Sequence, residues 1–84
     1  MDDAYYYESV TDAIPCGDYK VAVRFRKGGS GVFDCSPYIA DPFWAALKDK
    51  DVFAKVRVEC GMLTWPGDID IAPEEVWSGA VRTS

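Results

Sequence analysis

Apolar and polar side chains alternate along residues 19–26, and this two-residue period is typical of a half-buried β-strand. Val21, Val23 and Phe25 share one face of the expected strand, and Arg24 and Arg26 share the other. Residues 27–31 follow with three glycines, which allow the positive φ angles of a hairpin turn. Residues 31–35 then resume the apolar pattern, so the sequence predicts a β-hairpin here.

The same criteria predict three further strands. Residues 5–11 are rich in tyrosine, valine and threonine, which favour strands, and this segment ends near Pro15. A second alternating strand starts at Phe53 and runs to Cys60, with basic side chains on its polar face. The glycine that follows turns the chain into residues 62–65, which we expect to be its hairpin partner.

A short helix is predicted over residues 41–49, between the two hairpins. Asp41 is a favourable N-cap, and Pro42 suits the first helical position. The positions i, i+3 and i+4 of one apolar stripe are occupied by Phe43, Ala46 and Leu47. The expected fold class is therefore α+β, with the order β-β-β-α-β-β and one helix packed on a face of a small, mostly antiparallel sheet.

The end of the chain carries weaker patterns. Residues 72–77 are expected to form a final helical turn, and residues 78–84 to be a frayed tail. No repeat or linker interrupts the sequence, so residues 1–84 are expected to form a single domain.

Composition narrows the class of protein. Of the 84 residues, 49% are apolar and 14% aromatic, which is enough to build a core. The net charge of −5 argues against binding nucleic acid or anionic lipid through charge alone. No apolar run approaches the roughly 20 residues of a transmembrane helix, and residues 1–4 lack the features of a secretory signal. Three widely spaced cysteines do not make a disulfide framework, so we expect the reducing cytoplasm and no membrane association.

The most unusual local string is residues 65–75, in which four acids follow Trp65: Asp68, Asp70, Glu74 and Glu75. Such carboxylates are able to collect a hard cation, but the glycine and the distant glutamate of a calcium loop are missing. The sequence contains no histidine, which excludes histidine catalysis. We therefore assign no catalytic residue, metal or cofactor, and keep a metal-assisted or acid–base enzyme using Asp68, Asp70 and Glu74 as an alternative.

Basic side chains lie on the polar faces of two predicted strands, and they would form one stripe if those strands are neighbours. The stripe consists of Arg24, Arg26, Lys55 and Arg57. Guanidinium groups pair well with carboxylates and phosphates, so this stripe is a candidate docking patch for an acidic protein or for RNA. With Trp65 and Asp70 at the later turn, these residues form the predicted partner-binding set. The alternative interpretation is a solvated sheet face whose bases pair with acids on adjacent strands.

Aromatic side chains point to a homodimer as a further alternative. A core of this size cannot bury them all, and exposed aromatic residues often mark an interface. The residues concerned are Tyr5, Tyr6, Tyr7, Trp44 and Trp77.

An ordered set of short motifs resembles the bacterial family known as domain of unknown function 2442. The motifs are Phe25-Arg26-Lys27-Gly28, Gly31-Val32-Phe33-Asp34, Ser36-Pro37-Tyr38, Phe43, Leu47, Phe53, Trp65-Pro66, Asp70-Ile71-Ala72-Pro73-Glu74 and Val76. The resemblance covers about residues 10–77 and implies a small α+β domain. It also implies genes that sit beside small toxin-like partners, hence an antitoxin-like or regulatory role, and it supplies no catalytic residues.

From these observations we predict a non-catalytic protein-binding module with a small protein partner. Two alternatives from other classes remain open, namely the small enzyme described above and an RNA-binding sheet.

Overall fold

The structure is a computed structural model, and it describes residues 9–83. Within these residues, seven strands and four short helical segments follow one another. They are β1 (Val10–Pro15), β2 (Lys20–Phe25), β3 (Ser30–Asp34), α1 (Ser36–Ile39), a 3₁₀ helix (Pro42–Lys48), α2 (Lys50–Phe53), β4 (Arg57–Glu59), β5 (Met62–Trp65), β6 (Ile69–Ile71), α3 (Pro73–Gly79) and β7 (Val81–Arg82). The α+β class is therefore confirmed. The tyrosines of the predicted first strand lie outside the described residues, within which β1 runs from Val10 to Pro15.

Two antiparallel sheets take the place of the single sheet that the sequence predicted. The first has the strand order β1-β2-β3-β7, and the second has the order β4-β5-β6. The hairpin of β2 and β3 is confirmed, with Lys20 opposite Asp34 and Arg24 opposite Ser30. Its turn uses positive φ angles at Gly28 and Gly29, as the sequence predicted.

A backbone hydrogen bond near the start of β1 connects the two sheets. The Val10 amide donates to the Gly61 carbonyl at 2.9 Å, in the turn between β4 and β5. The register of β1 against β2 shifts between Val10 and Asp12. An irregularity of this kind bends a strand and increases its twist. The irregularity therefore lies at the point where β1, still paired with β2, also contacts the second sheet.

The predicted helix of residues 41–49 begins where expected but has a different geometry. Asp41 accepts a hydrogen bond from the Phe43 amide at 2.9 Å, so its role as N-cap is confirmed. The helix is 3₁₀, with three residues per turn, and the inward positions are therefore Trp44 and Leu47. The predicted stripe is wrong for Phe43, which is 55% exposed, and for Ala46, which is also exposed.

The strand predicted from Phe53 starts later than expected. Asp49 caps α2 by accepting from the Asp51 amide at 2.9 Å, and Phe53 is the last residue of that helix. Lys55 then lies in a turn, where its amide donates to the Val52 carbonyl at 3.0 Å. Only Arg57–Glu59 remain as β4, because the preceding residues complete the helix and its turn.

The end of the described chain is ordered into regular elements. Residues 73–79 form α3, longer than the single turn that was predicted, and Val81 and Arg82 pair with β3. The Arg82 guanidinium lies over the rings of Phe25 and Trp77, at 4.6 and 4.3 Å from their centroids. These contacts attach β7 to the sheet, although the sequence predicted a frayed tail here.

One buried cluster unites both sheets and the helical segments. Its members come from the inner faces of the strands and from the helices that cover them, for example Val21, Leu47, Leu63, Ile71 and Val76. This cluster therefore covers the inner face of the first sheet, and the opposite face of that sheet points away from the core.

Candidate functional site

The outer face is our name for the side of the β1-β2-β3-β7 sheet that points away from the core. Val21, Val23 and Phe25 are buried on the inner side of β2, so Ala22 and Arg24 lie on the outer face. Residues directly opposite one another in antiparallel strands share a face. The registers can therefore be followed from strand to strand across the whole sheet.

An apolar row crosses all four strands of the outer face. Ile14 is opposite Ala22, Ala22 is opposite Val32, and Val32 is opposite Val81. The two ends of this row are strongly exposed, Ile14 at 65% and Val81 at 72%, whereas Ala22 and Val32 are half-buried. A contiguous apolar surface of this kind differs from the scattered apolar residues of an ordinary protein surface.

The apolar row borders an open hollow of about 460 Å³. Ile14, Ala22 and Val32 from the row line it, together with polar residues from the ends of the strands, among them Asp12, Arg24, Ser30 and Thr83. The hollow lies over the two central strands, whose Ala22 and Val32 are less exposed than Ile14 and Val81 at the ends of the row.

Charged residues flank the apolar row on both sides, and their formal charges cancel. Asp12 is opposite Arg24 towards one end of the strands, and Lys20 is opposite Asp34 towards the other. The Ser36 amide donates to the Asp34 carboxylate at 2.9 Å, and this hydrogen bond lowers the pKa of Asp34. Asp34 is therefore an ionised acid at neutral pH. The formal charges of these four residues sum to zero, on a chain whose net charge is −5.

The predicted basic stripe is not formed, because its strands belong to different sheets. Arg24 is on β2, Arg57 is on β4, and Lys55 is in the turn before β4. Arg26 lies just beyond β2, where its amide donates to the Ser9 carbonyl at 2.8 Å. Of the four bases, only Arg24 lies within a strand of the first sheet. Partner binding by the other three stays a prediction.

Trp65, also in the predicted set, is a core residue. It is 3% exposed, its indole N–H donates to the Phe53 carbonyl at 3.0 Å, and its ring stacks on the Phe53 ring with centroids 5.9 Å apart. Most of its surface is therefore out of reach of a partner while the protein is folded.

Asp70 and Arg57 come together on the exposed side of the second sheet. Arg57 is opposite Thr64, and Thr64 is opposite Asp70, so the three side chains form one row. They line a groove of about 270 Å³ that also includes Asp68 and Glu59. Arg57 pairs with Glu59 at 3.2 Å, and both side chains are exposed, so this pair contributes little to stability.

The acids after Trp65 occupy positions that the backbone explains. Asp68 is in the β5–β6 turn with a φ of 61°, Asp70 is on β6, and Glu74 and Glu75 lie in the first turn of α3. Glu75 accepts a hydrogen bond from the Tyr38 hydroxyl at 2.9 Å; burial and this contact raise the pKa of Tyr38 to about 12. Across residues 9–83, no three cysteine, aspartate or glutamate side chains come close enough together to hold a metal ion.

The sequence did not identify the apolar row, although it did place Ala22 and Arg24 on one face. Ile14 had no partner in the sequence pattern, and Val81 lay in the segment that was predicted to be frayed. The one local signal is a β-branched residue, which favours a strand, at Ile14, Val32 and Val81. That signal identifies a surface only when the strand order is known.

The architecture defines the class of this chain as a small α+β domain with two antiparallel sheets around one core. The family model described as protein of unknown function DUF2442 matches residues 10–82, so the chain belongs to that family and the resemblance is confirmed. No match was found among curated proteins or among solved structures. Within residues 9–83, no helix is both long enough and apolar enough to cross a membrane.

Proposed function

We propose that this chain is a non-catalytic protein-binding module and that the outer face is its docking surface. The observation that carries this proposal is the apolar row of Ile14, Ala22, Val32 and Val81, which runs in register across four strands. Arg24, which the sequence already indicated as a partner-binding residue, lies beside this row and lines the same hollow.

The exposed ends of the row are able to contribute free energy to binding. Transferring a valine or isoleucine side chain fully from water to an apolar environment stabilises a complex by about 1.5–3 kcal/mol. Ile14 and Val81 retain most of their accessible surface in the folded chain, so most of this free energy is available for binding. The charged residues around the row then supply a polar rim, as in ordinary protein interfaces.

An antitoxin-like or regulatory role is the finer form of this proposal. It is supported by the resemblance to the family and by the net charge of −5, which favours association with a basic protein. Co-expression with the product of the neighbouring gene tests it. A small basic protein that co-purifies with the wild-type chain would support the role, and separate elution of the two proteins would contradict it.

The docking surface itself is tested with immobilised variants incubated in a lysate of the native host. Ile14→Asp places a charge on an exposed end of the row, and Ala22→Arg places one at its centre. Phe43→Asp is the matched control, because Phe43 is also an exposed large apolar residue but lies on the 3₁₀ helix. Circular dichroism and thermal melting establish that each variant is folded.

We expect the wild type and Phe43→Asp to retain the same stoichiometric polypeptide, whether another protein or the chain's own native copy. Ile14→Asp and Ala22→Arg should retain about tenfold less of it, since each introduces a charge without a partner into the contact. Equal retention by all four baits, or no retained polypeptide with the wild type, would contradict the proposal.

A further inference from the structure

We infer that the outer face binds a second copy of this chain, so that two copies pack face to face about a two-fold axis parallel to the strands and between β2 and β3. This inference rests on the proposed function, for which it names the partner. Its basis is the symmetry and charge of the outer face.

The strand order makes the apolar row self-complementary. The two-fold rotation places β1 of one copy against β7 of the other, and β2 against β3. Ile14 then faces Val81 of the second copy, and Ala22 faces Val32. Each apolar side chain of the row therefore meets another apolar side chain, as an isologous contact requires.

The charged residues are complementary under the same rotation. Lys20 faces Asp34 of the second copy, and this ion pair occurs twice because the axis is two-fold. Arg24 faces Ser30 of the second copy, a neutral side chain. A two-fold axis across the strands would instead place Arg24 against Lys20, two like charges. The charge pattern therefore selects the axis that is parallel to the strands.

Net charge favours this face over the rest of the surface for contact between copies. Each copy carries a charge of −5, so two copies repel each other in most orientations. The charges of Asp12, Lys20, Arg24 and Asp34, which lie beside the apolar row, sum to zero, so contact through the row brings no net like charge together. Arg24 lines the hollow beside Ala22 and Val32, and the methylene groups of an arginine are able to pack on apolar neighbours in a contact.

The size of the face predicts a weak dimer. The four strands have 6, 6, 5 and 2 residues, and at about 4.8 Å by 3.4 Å for each residue they give roughly 310 Å² of flat sheet per copy. Aligned sheets pack face to face at about 10 Å. A contact of this area is smaller than the roughly 800 Å² that each partner buries in a standard interface, so we expect a weak dimer whose population depends on concentration.

Sedimentation equilibrium on the full chain provides the first test, over a range from about 5 to about 500 μM that covers weak dimerisation. We expect the weight-average mass to rise from 9.3 kDa towards twice that value. Ile14→Asp and Ala22→Arg should remain monomers throughout, and Phe43→Asp should associate like the wild type. A wild-type mass that stays at 9.3 kDa overturns the inference.

The direction of the axis is tested by two variants that change the net charge equally. Lys20→Glu places a like charge opposite Asp34 of the second copy, and we expect it to weaken dimerisation about tenfold or more. Arg24→Glu faces Ser30 and should weaken dimerisation much less. Equal weakening by the two variants would contradict the proposed axis.

The sedimentation and capture experiments together distinguish a failure of the dimer inference from a failure of the proposed function. A monomeric wild type that still captures another protein through the outer face overturns only the choice of partner. A dimer that persists in Ile14→Asp and Ala22→Arg overturns the inference, because self-association would then use another surface. If the same two variants also retain every captured partner, the proposed function fails as well.

Discussion

Cys35 is a fully buried titratable side chain at the junction between β3 and α1. Burial, with a smaller contribution from the charge of Asp34, raises the pKa of its thiol from 9.0 to about 12. Cys60, in contrast, is exposed in the turn between β4 and β5. Two cysteines that look alike in the sequence therefore differ in their chemistry, because only one of them has lost contact with water.

The raised pKa of Cys35 predicts that alkaline pH destabilises the protein. Below pH 9.0 the thiol is protonated in both the folded and the unfolded state, so its full contribution to stability is present. Between pH 9.0 and about 12 the unfolded thiol releases its proton while the folded thiol keeps it, and stability falls as pH rises. One proton corresponds to at most about 1.4 kcal/mol per pH unit.

Urea unfolding of the wild type and of Cys35→Ala, at a series of pH values above 8, measures this effect. Comparing the variant with the wild type removes the contributions of other groups, including Tyr38, whose pKa is also raised to about 12. We expect the variant to be less stable at pH 8 and to lose stability less steeply with pH. Parallel curves for the two proteins would show that Cys35 does not titrate differently on unfolding.

Among the elements, the helical connection between the two sheets depends on two aspartate caps. Asp41 begins the 3₁₀ helix, and Asp49 both ends that helix and begins α2. The side chain of Asp49 satisfies the Asp51 amide at 2.9 Å, which has no partner within the helix. Asp49 therefore separates the 3₁₀ helix from α2, in a stretch that the sequence predicted as one helix followed by a strand.

We expect Asp49→Ala to lower the free energy of unfolding by about 0.5–2 kcal/mol, the usual cost of removing an N-cap. Asp49→Asn keeps an oxygen that accepts the same hydrogen bond, so its stability should be close to that of the wild type. Denaturant unfolding of the three proteins measures the difference. An Asn variant as unstable as the Ala variant would show that charge, and not capping, is the contribution of Asp49.

The elements that the sequence predicted well are those with local causes. The β2–β3 hairpin follows from an alternating pattern and a glycine turn, and the helix start follows from Asp41 and Pro42. The choice between 3₁₀ and α geometry has no such local signal. It depends on which side chains pack, and the core receives Leu47 and part of Trp44, three residues apart.

At the scale of the whole molecule, the two sheets meet where Ser9 approaches the β4–β5 turn. A Cβ atom at Gly61 would lie 2.7 Å from the Ser9 Oγ and 2.8 Å from its Cβ. Gly61 also has a φ of +77°, which disfavours other residues. Position 61 therefore requires glycine, because its φ angle is positive and because Ser9 approaches it closely.

Gly61→Ala should destabilise the protein more than Gly17→Ala, by roughly 1–3 kcal/mol, the range for overpacked contacts. Gly17 is a matched control because its φ is +72° and nothing lies within 4 Å of a Cβ atom there. Both variants carry the backbone penalty, and only Gly61→Ala pushes against Ser9. Thermal unfolding measures the difference, and hydrogen exchange should show weaker protection of the Val10 amide in Gly61→Ala. Equal losses of stability would show that Ser9 yields without cost.

The sequence predicted the fold better than it predicted the candidate site. The sequence predicts Trp65 as a partner-binding residue because it stands beside a turn. Its large ring is nevertheless more stable in the core, where the indole N–H donates to the Phe53 carbonyl. The basic stripe required two strands to be neighbours, and the division into two sheets separates them. Each of these outcomes depends on long-range packing, which a local pattern does not contain.

The sequence by itself determined the α+β class, the β2–β3 hairpin, the start of the helical segment and the family, because each follows from neighbouring residues or from an ordered set of motifs. The tertiary structure alone decided that there are two sheets, that β7 joins the first of them, and that Ile14 and Val81 end one apolar row. The physical reason is that a strand face is a local property, whereas a surface that crosses four strands depends on how distant parts of the chain pair.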